Sequence, residues 1–98
     1  MRGVEYDPAA ESDLIADAVY LEEQRSGFGE RFWNAVDSAI ARIDEYPNLG
    51  RDAKDGTRRL TLVDFRYDIV YRVSDDLIFI FAVAHHSRRP NYWRKRLP

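Results

Sequence analysis

Tyr67-Asp68-Ile69-Val70-Tyr71-Arg72-Val73-Ser74-Asp75-Asp76-Leu77-Ile78-Phe79-Ile80-Phe81-Ala82-Val83-Ala84-His85 decides the fold. Two runs rich in β-branched and aromatic residues flank a short polar break at Ser74-Asp75-Asp76, the pattern of two strands joined by a tight turn. The first run alternates: Tyr67, Ile69, Tyr71 and Val73 share one face, and Asp68, Val70 and Arg72 share the other. The second is apolar on both faces, with Phe79, Phe81 and Val83 opposite Ile78, Ile80, Ala82 and Ala84. A strand of that kind belongs inside a sheet. Upstream, Arg58 to Val63 reads as a third strand, preceded by a polar loop from Arg51 to Gly56 and a turn at Pro47-Asn48-Leu49-Gly50.

Sheet faces this apolar need a cover, and the first half of the chain supplies it. Val4-Glu5-Tyr6 reads as a short strand that ends at Asp7-Pro8, an N-cap followed by proline at the first helical position. A helix follows from about Pro8 to Arg25, with Ala10, Leu14, Ala18 and Leu21 in one stripe and Glu11, Asp13, Asp17, Glu22 and Glu23 on the solvent side. Ser26-Gly27 breaks it. A second helix runs from about Phe28 to Tyr46, burying Phe28, Phe32, Val36, Ala39, Ile40 and Ile43, and Pro47 stops it. The expected architecture is α+β: a small, mainly antiparallel sheet with an N-terminal helical hairpin packed on one face.

The 98 residues leave room for one domain spanning 1–98, and 45% hydrophobic and 13% aromatic content lies in the globular range. Net charge is −2. Residues 1–50 hold 4 Lys and Arg against 11 Asp and Glu, whereas residues 51–98 hold 11 against 6, so balances of −7 and +5 are hidden in the total. Such a chain has a basic surface for an anionic partner and weak overall attraction for nucleic acid. Without cysteine, disulfides, thiol catalysis and cysteine-based zinc sites are excluded. The longest apolar run, Leu77 to Ala84, is too short for a membrane span, and the charged start does not read as a signal peptide. A cytoplasmic protein is expected.

Chemistry-bearing residues gather at the end. His85 and His86 close the last strand, and Arg88, Arg89, Tyr92, Trp93, Arg94, Lys95 and Arg96 crowd the tail. Histidine moves protons near neutral pH, arginine grips phosphate bidentately, and aromatic rings stack on bases. Against this, basic tails are commonly only solvated, and Trp93 reads equally as an anchor pinning the chain end to the core. Strand alternation turns one of the two histidines inward, so at most one faces a ligand. No phosphate loop, nucleophile elbow or metal-binding spacing is present, and no metal or cofactor is expected.

Taken in order, the short strand and helical hairpin, Pro47-Asn48-Leu49-Gly50, Arg58-Arg59-Leu60, the run from Phe65 to Val73, and His86-Ser87-Arg88-Arg89-Pro90-Asn91-Tyr92-Trp93 resemble the RelE/ParE superfamily of bacterial type II toxin–antitoxin toxins. The resemblance implies a toxin neutralised by a cognate antitoxin that wraps the sheet and hairpin, in a hetero-oligomeric complex. In the ribosome-dependent messenger-RNA ribonuclease branch, lysines match the strand from Arg59 to Val63, arginines match Asp68 and His86, and a tyrosine matches Tyr92. Only Tyr92 is kept, and Asp68 reverses a charge. If the chain is a ribonuclease, His86 is the base, Arg59 the phosphate clamp and Tyr92 the acid.

The ParE-like branch is the better fit, since the chain resembles its His-x-x-Arg-x-Pro-x-Tyr-Trp ending. By resemblance such toxins poison DNA gyrase, so the expected partners are a cognate antitoxin and gyrase, with ribosome and messenger RNA as the alternative. An inactive interaction module derived from a toxin is a further alternative. The contact surface for antitoxin or target is placed at Arg72, His86, Arg88, Arg89, Tyr92, Trp93 and Arg94.

Overall fold

A computed structural model describes residues 2–98. Strand β1 (Gly3–Tyr6) leads into helix α1 (Pro8–Gln24), and helix α2 (Phe28–Glu45) completes the hairpin. Four further strands follow: β2 (Arg51–Asp52), β3 (Arg58–Thr61), β4 (Tyr67–Val73) and β5 (Leu77–His85). Short 3₁₀ turns occupy Lys54–Gly56 and Tyr92–Arg96. The sheet order is β1-β5-β4-β3-β2, with β1 parallel to β5 and the other pairs antiparallel.

The helix starts follow from local chemistry. Asp7 accepts hydrogen bonds from the backbone N–H groups of Ala9 (2.9 Å) and Ala10 (3.4 Å), while Pro8 needs no partner at the first helical position. At the start of α2, Gly27 has no capping side chain and sits at φ 90°. Its place is taken by Glu22, whose carboxylate accepts from the N–H groups of Gly27 (3.0 Å) and Gly29 (3.0 Å). This puts negative charge where unpaired N–H groups favour it. Glu22 is therefore a cap for the next helix, beyond the solvent-facing role expected of it.

Under the hairpin lies the main core. Leu14, Phe32, Val36 and Ile43 pack against Ile69, Tyr71, Ile78, Ile80 and Val83, all essentially inaccessible. A second cluster covers the opposite face, where Trp93 is fully buried against Val70, Phe81, Ala82 and Ala84. Burying an aromatic ring of this size stabilises by about 2–3 kcal/mol, which offsets the ordering of about two tail residues at about 1–2 kcal/mol each, so the tail needs further anchors. Arg96, only 9% exposed, clamps the same tail by donating to the Phe81 carbonyl (2.9 Å) and to Asp13 (3.2 Å).

Four details differ from the expectation. Arg51 and Asp52, expected in a loop, pair with Arg59 and Arg58 as a fifth strand, because the chain after Gly50 runs alongside β3 before turning back. The strand expected from Arg58 to Val63 stops at Thr61, where residues 63–66 turn the chain. In β5 the strict alternation fails: Val70 pairs with Ala82 and Tyr71 with Ile80, so Phe81 is an extra residue, a β-bulge. Val83 thereby joins Ile78 and Ile80 on the hairpin side, while Ala82 and Ala84 join Phe81 on the other. Finally, Asp13 and Asp17 are half-buried, because the basic tail folds back onto α1.

Candidate functional site

Beyond the bulge, β4 and β5 stay in register to their ends, which places Asp68 opposite Ala84 on one side and Thr61 on the other. Asp68 faces away from the hairpin, its side chain 3% exposed. Four groups converge on it. The Thr61 hydroxyl donates to Oδ1 (2.6 Å), His86 Nε2 lies 3.0 Å from the same oxygen, and Arg59 (3.1 Å) and Arg51 (3.3 Å) meet Oδ2. A carboxylate accepts only, so His86 carries its proton on Nε2. Burial alone would raise the Asp68 pKa, but the Thr61 hydroxyl, the His86 ring and Arg59 outweigh it and hold the carboxyl below its usual range.

Around this network opens a cleft of about 260 Å³, lined chiefly by Arg51, Arg59, His86, Arg88, Arg89 and Tyr92. Asn91, at φ 59°, and Pro90 turn the chain so that Tyr92 reaches its wall. The Arg88 guanidinium lies 4.0 Å from the centre of the Tyr92 ring and the Arg96 guanidinium 5.2 Å from it. Burial, the largest influence, raises the Tyr92 pKa in spite of both cations. His85 is turned elsewhere: its ring meets Tyr67 edge to face at 4.9 Å, and its Nδ1 accepts from the N–H of Ser87 (3.0 Å) and pairs with the Ser87 hydroxyl (2.7 Å).

The residues singled out from the sequence thus fall into separate places. Arg59, His86, Arg88, Arg89 and Tyr92 meet in the cleft. Arg72 and Arg94 meet instead at Asp55: Arg72 donates to its carbonyl (2.7 Å) and Arg94 to its carboxylate (2.9 Å). Trp93 belongs to the core and offers no exposed surface. Arg51 was missed as a cleft residue, because nothing in the polar run from Arg51 to Gly56 marks its first two residues as an edge strand. In the sequence Asp68 stands out only as a charge reversal; the signal of its burial is that alternation puts it on the same face as Val70, which the Trp93 cluster covers.

The network engages the three residues of the ribonuclease set in different ways. Arg59 is spent on Asp68, His86 is held as a hydrogen-bond donor, and Tyr92 is a weaker acid than free tyrosine. Among the described residues, no three His, Asp or Glu side chains group closely enough to hold a metal ion, and no helix is long and apolar enough to cross a membrane.

Two apolar grooves lie elsewhere among the described residues. One, about 510 Å³, runs between the helices over Ile15, Val19 and Trp33, which are 49%, 54% and 37% exposed, and is rimmed by Glu22, Glu23 and Glu30. The other, about 420 Å³, lies on the sheet face away from the hairpin over Leu77, Phe79 and Phe81, flanked by Arg72 and Arg96.

The chain is thus an α+β domain, a sheet under a helical hairpin with a cationic cleft at the ends of β4 and β5. Residues 4–90 match the family model described as "ParE toxin of type II toxin-antitoxin system, parDE", and the chain belongs to that family. It is 33% identical over 82 residues to Toxin ParE2 of Mycobacterium tuberculosis (strain CDC 1551 / Oshkosh), covering 83% of this chain and 78% of that protein. It is 31% identical over 72 residues to putative toxin Y4kP of Sinorhizobium fredii (strain NBRC 101917 / NGR234), covering 72% and 75% of the two chains. A solved structure titled "Chromosomal ParDE TA system from P. aeruginosa" contains a chain of the same fold, with a TM-score of 0.60 at 21% identity, covering 87% of this chain and 96% of that one.

Proposed function

We propose that this chain, acting as one cytoplasmic domain over residues 1–98, inhibits growth by poisoning DNA gyrase and is neutralised by a cognate antitoxin. Membership of the ParE toxin family supports the toxin role, and the gyrase target is the activity its resemblance implies. The observation that carries the choice of gyrase over messenger RNA is the grip of Asp68 on Arg59 and His86. A ribonuclease needs those side chains free for the scissile phosphate and the 2′-hydroxyl. Neutralisation is supported by the two grooves, whose apolar floors and opposite rim charges suit an antitoxin segment that crosses from the hairpin to the sheet.

Controlled expression tests this reading. Induction without an antitoxin arrests growth, co-expression of the protein encoded by the neighbouring short reading frame restores it, and primer extension on translated messages finds no new cuts. Unchanged growth despite soluble, folded protein would reject the toxin role. New cuts within ribosomal A-site codons, lost in His86→Ala, would move the target to messenger RNA.

A further inference from the structure

Three features of the cleft point to a ligand that the toxin's assignment to its family does not name. First, its charge is one-sided. Arg51, Arg59, Arg88 and Arg89 line it against a single carboxylate, Asp68, which is buried and already met by Arg51, Arg59 and His86. Arg89 is exposed and forms no ion pair among the described residues, and the Arg51 and Arg88 side chains are 63% and 47% exposed, so their remaining donors face solvent. Second, the cleft lacks the apolar floor that marks the other two grooves. A peptide side chain would gain little here, whereas an oxyanion meets several N–H forks. Third, the Tyr92 ring has a guanidinium at 4.0 Å and another at 5.2 Å, which leaves it poorly placed to stack on a base.

We propose that this cleft binds the phosphodiester backbone of DNA, without regard to sequence, at the strand held by the toxin's target. The proposal rests on the gyrase reading for its choice of DNA, since gyrase is the partner that would present one. Contacts made only to phosphates position a protein and carry no base information. The chain's net charge of −2 gives no long-range pull, so the contact is local, weak in the free toxin and strengthened when gyrase presents the strand.

The test is fluorescence anisotropy of the purified toxin with a short labelled DNA duplex, starting at about 50 mM salt, where phosphate contacts are least screened. Affinity should fall with rising salt at a slope of about −2 to −3 on logarithmic axes, the signature of two or three phosphate contacts. Arg89→Glu should weaken binding about tenfold or more, and Arg88→Ala with Arg89→Ala should flatten the slope by about 1–2. Lys95→Glu makes the same charge change on an exposed residue outside the cleft and should leave affinity within about twofold.

Equal losses from Arg89→Glu and Lys95→Glu would overturn the proposal, because bulk charge would then explain the binding. So would an RNA duplex bound in preference to DNA, or wild-type protein that inhibits gyrase yet binds no duplex at low salt. DNA binding with the expected variant pattern, beside supercoiling that the toxin leaves untouched, would support the cleft's ligand and reject gyrase as the target. Circular dichroism of each variant verifies the fold; Arg89 is exposed and unpaired, so its replacement should leave the spectrum unchanged.

Discussion

His86 Nε2 stands 3.0 Å from Asp68 Oδ1, joining the residue just after β5 to the second residue of β4. One carboxylate thereby gathers Arg51, Arg59 and His86 at this end of the sheet.

Removing that carboxylate should be costly. In Asp68→Ala, Arg51 and Arg59 lose their shared partner and repel one another, His86 loses its acceptor, and because Arg59 is largely buried the loss should be about 2–3 kcal/mol in urea unfolding. Asp68→Asn keeps two hydrogen-bond partners and should lose less. The Asp68 pKa is lowered in the fold, so its contribution is fully present above the unfolded carboxylate value of about 3.9 and is lost as pH falls through the lower folded value. The acid limb of the wild-type stability profile should therefore be steeper than that of Asp68→Asn.

Trp93 is a stability determinant. Trp93→Ala empties a fully buried site and should cost about 3–5 kcal/mol. Trp93→Phe should cost much less, since the indole Nε1 has no partner to lose. The remaining tryptophan, Trp33, is 37% exposed, so the fluorescence of Trp93→Phe should be readily quenched by acrylamide and that of Trp33→Phe should not.

Asp17 is the opposite case. Burial, and then the nearby charge of Asp13, raise its pKa, so its charge weakens the fold at neutral pH. Asp17→Asn should raise the melting temperature at pH 7 by about 2–4 °C, with water on its open side screening the effect, and the gain should vanish below about pH 4. Tyr67, its hydrogen-bond partner, is pushed up to about 12 by burial first and by Asp17 second. Stability is then fully present below the unfolded tyrosine value of about 10 and is lost as pH rises towards 12.

Gly50 should not accept a side chain. A Cβ there would lie 2.7 Å from the Arg59 carbonyl oxygen and 2.8 Å from the Tyr71 hydroxyl, which accepts from the Gly50 N–H (2.9 Å) and donates to the Pro47 carbonyl (3.1 Å). Gly50→Ala should displace both β3 and Tyr71 and cost about 1–3 kcal/mol by thermal melting.

Much of this was legible in the sequence. The hairpin from Tyr67 to His85 was, because alternation and a polar break fix two strands and their turn. So was the start of α1, because Asp7-Pro8 is a cap with a fixed geometry. The bulge at Phe81 was not: both faces of β5 are apolar, so a shift of one residue leaves the pattern looking the same. Nor was β2, whose pairing depends on where Gly50 lets the chain approach β3. At the site, the fold brings Arg59 from the ribonuclease set and Arg88 and Arg89 from the contact surface into one cleft with His86 and Tyr92, which belong to both. Arg72 and Arg94 were placed with them only because strand ends and tail share a charge; Asp55 draws both away. Whether Trp93 was contact or anchor turned on the face it meets, which tertiary packing alone decides.

Gyrase as the target is tested by the supercoiling of relaxed plasmid by purified gyrase with increasing amounts of the purified toxin. Supercoiling should fall as toxin is added, linear DNA should accumulate when the reaction is stopped with denaturant, and equimolar antitoxin should reverse both. Full supercoiling with no linear product at a large molar excess of folded toxin would contradict the account.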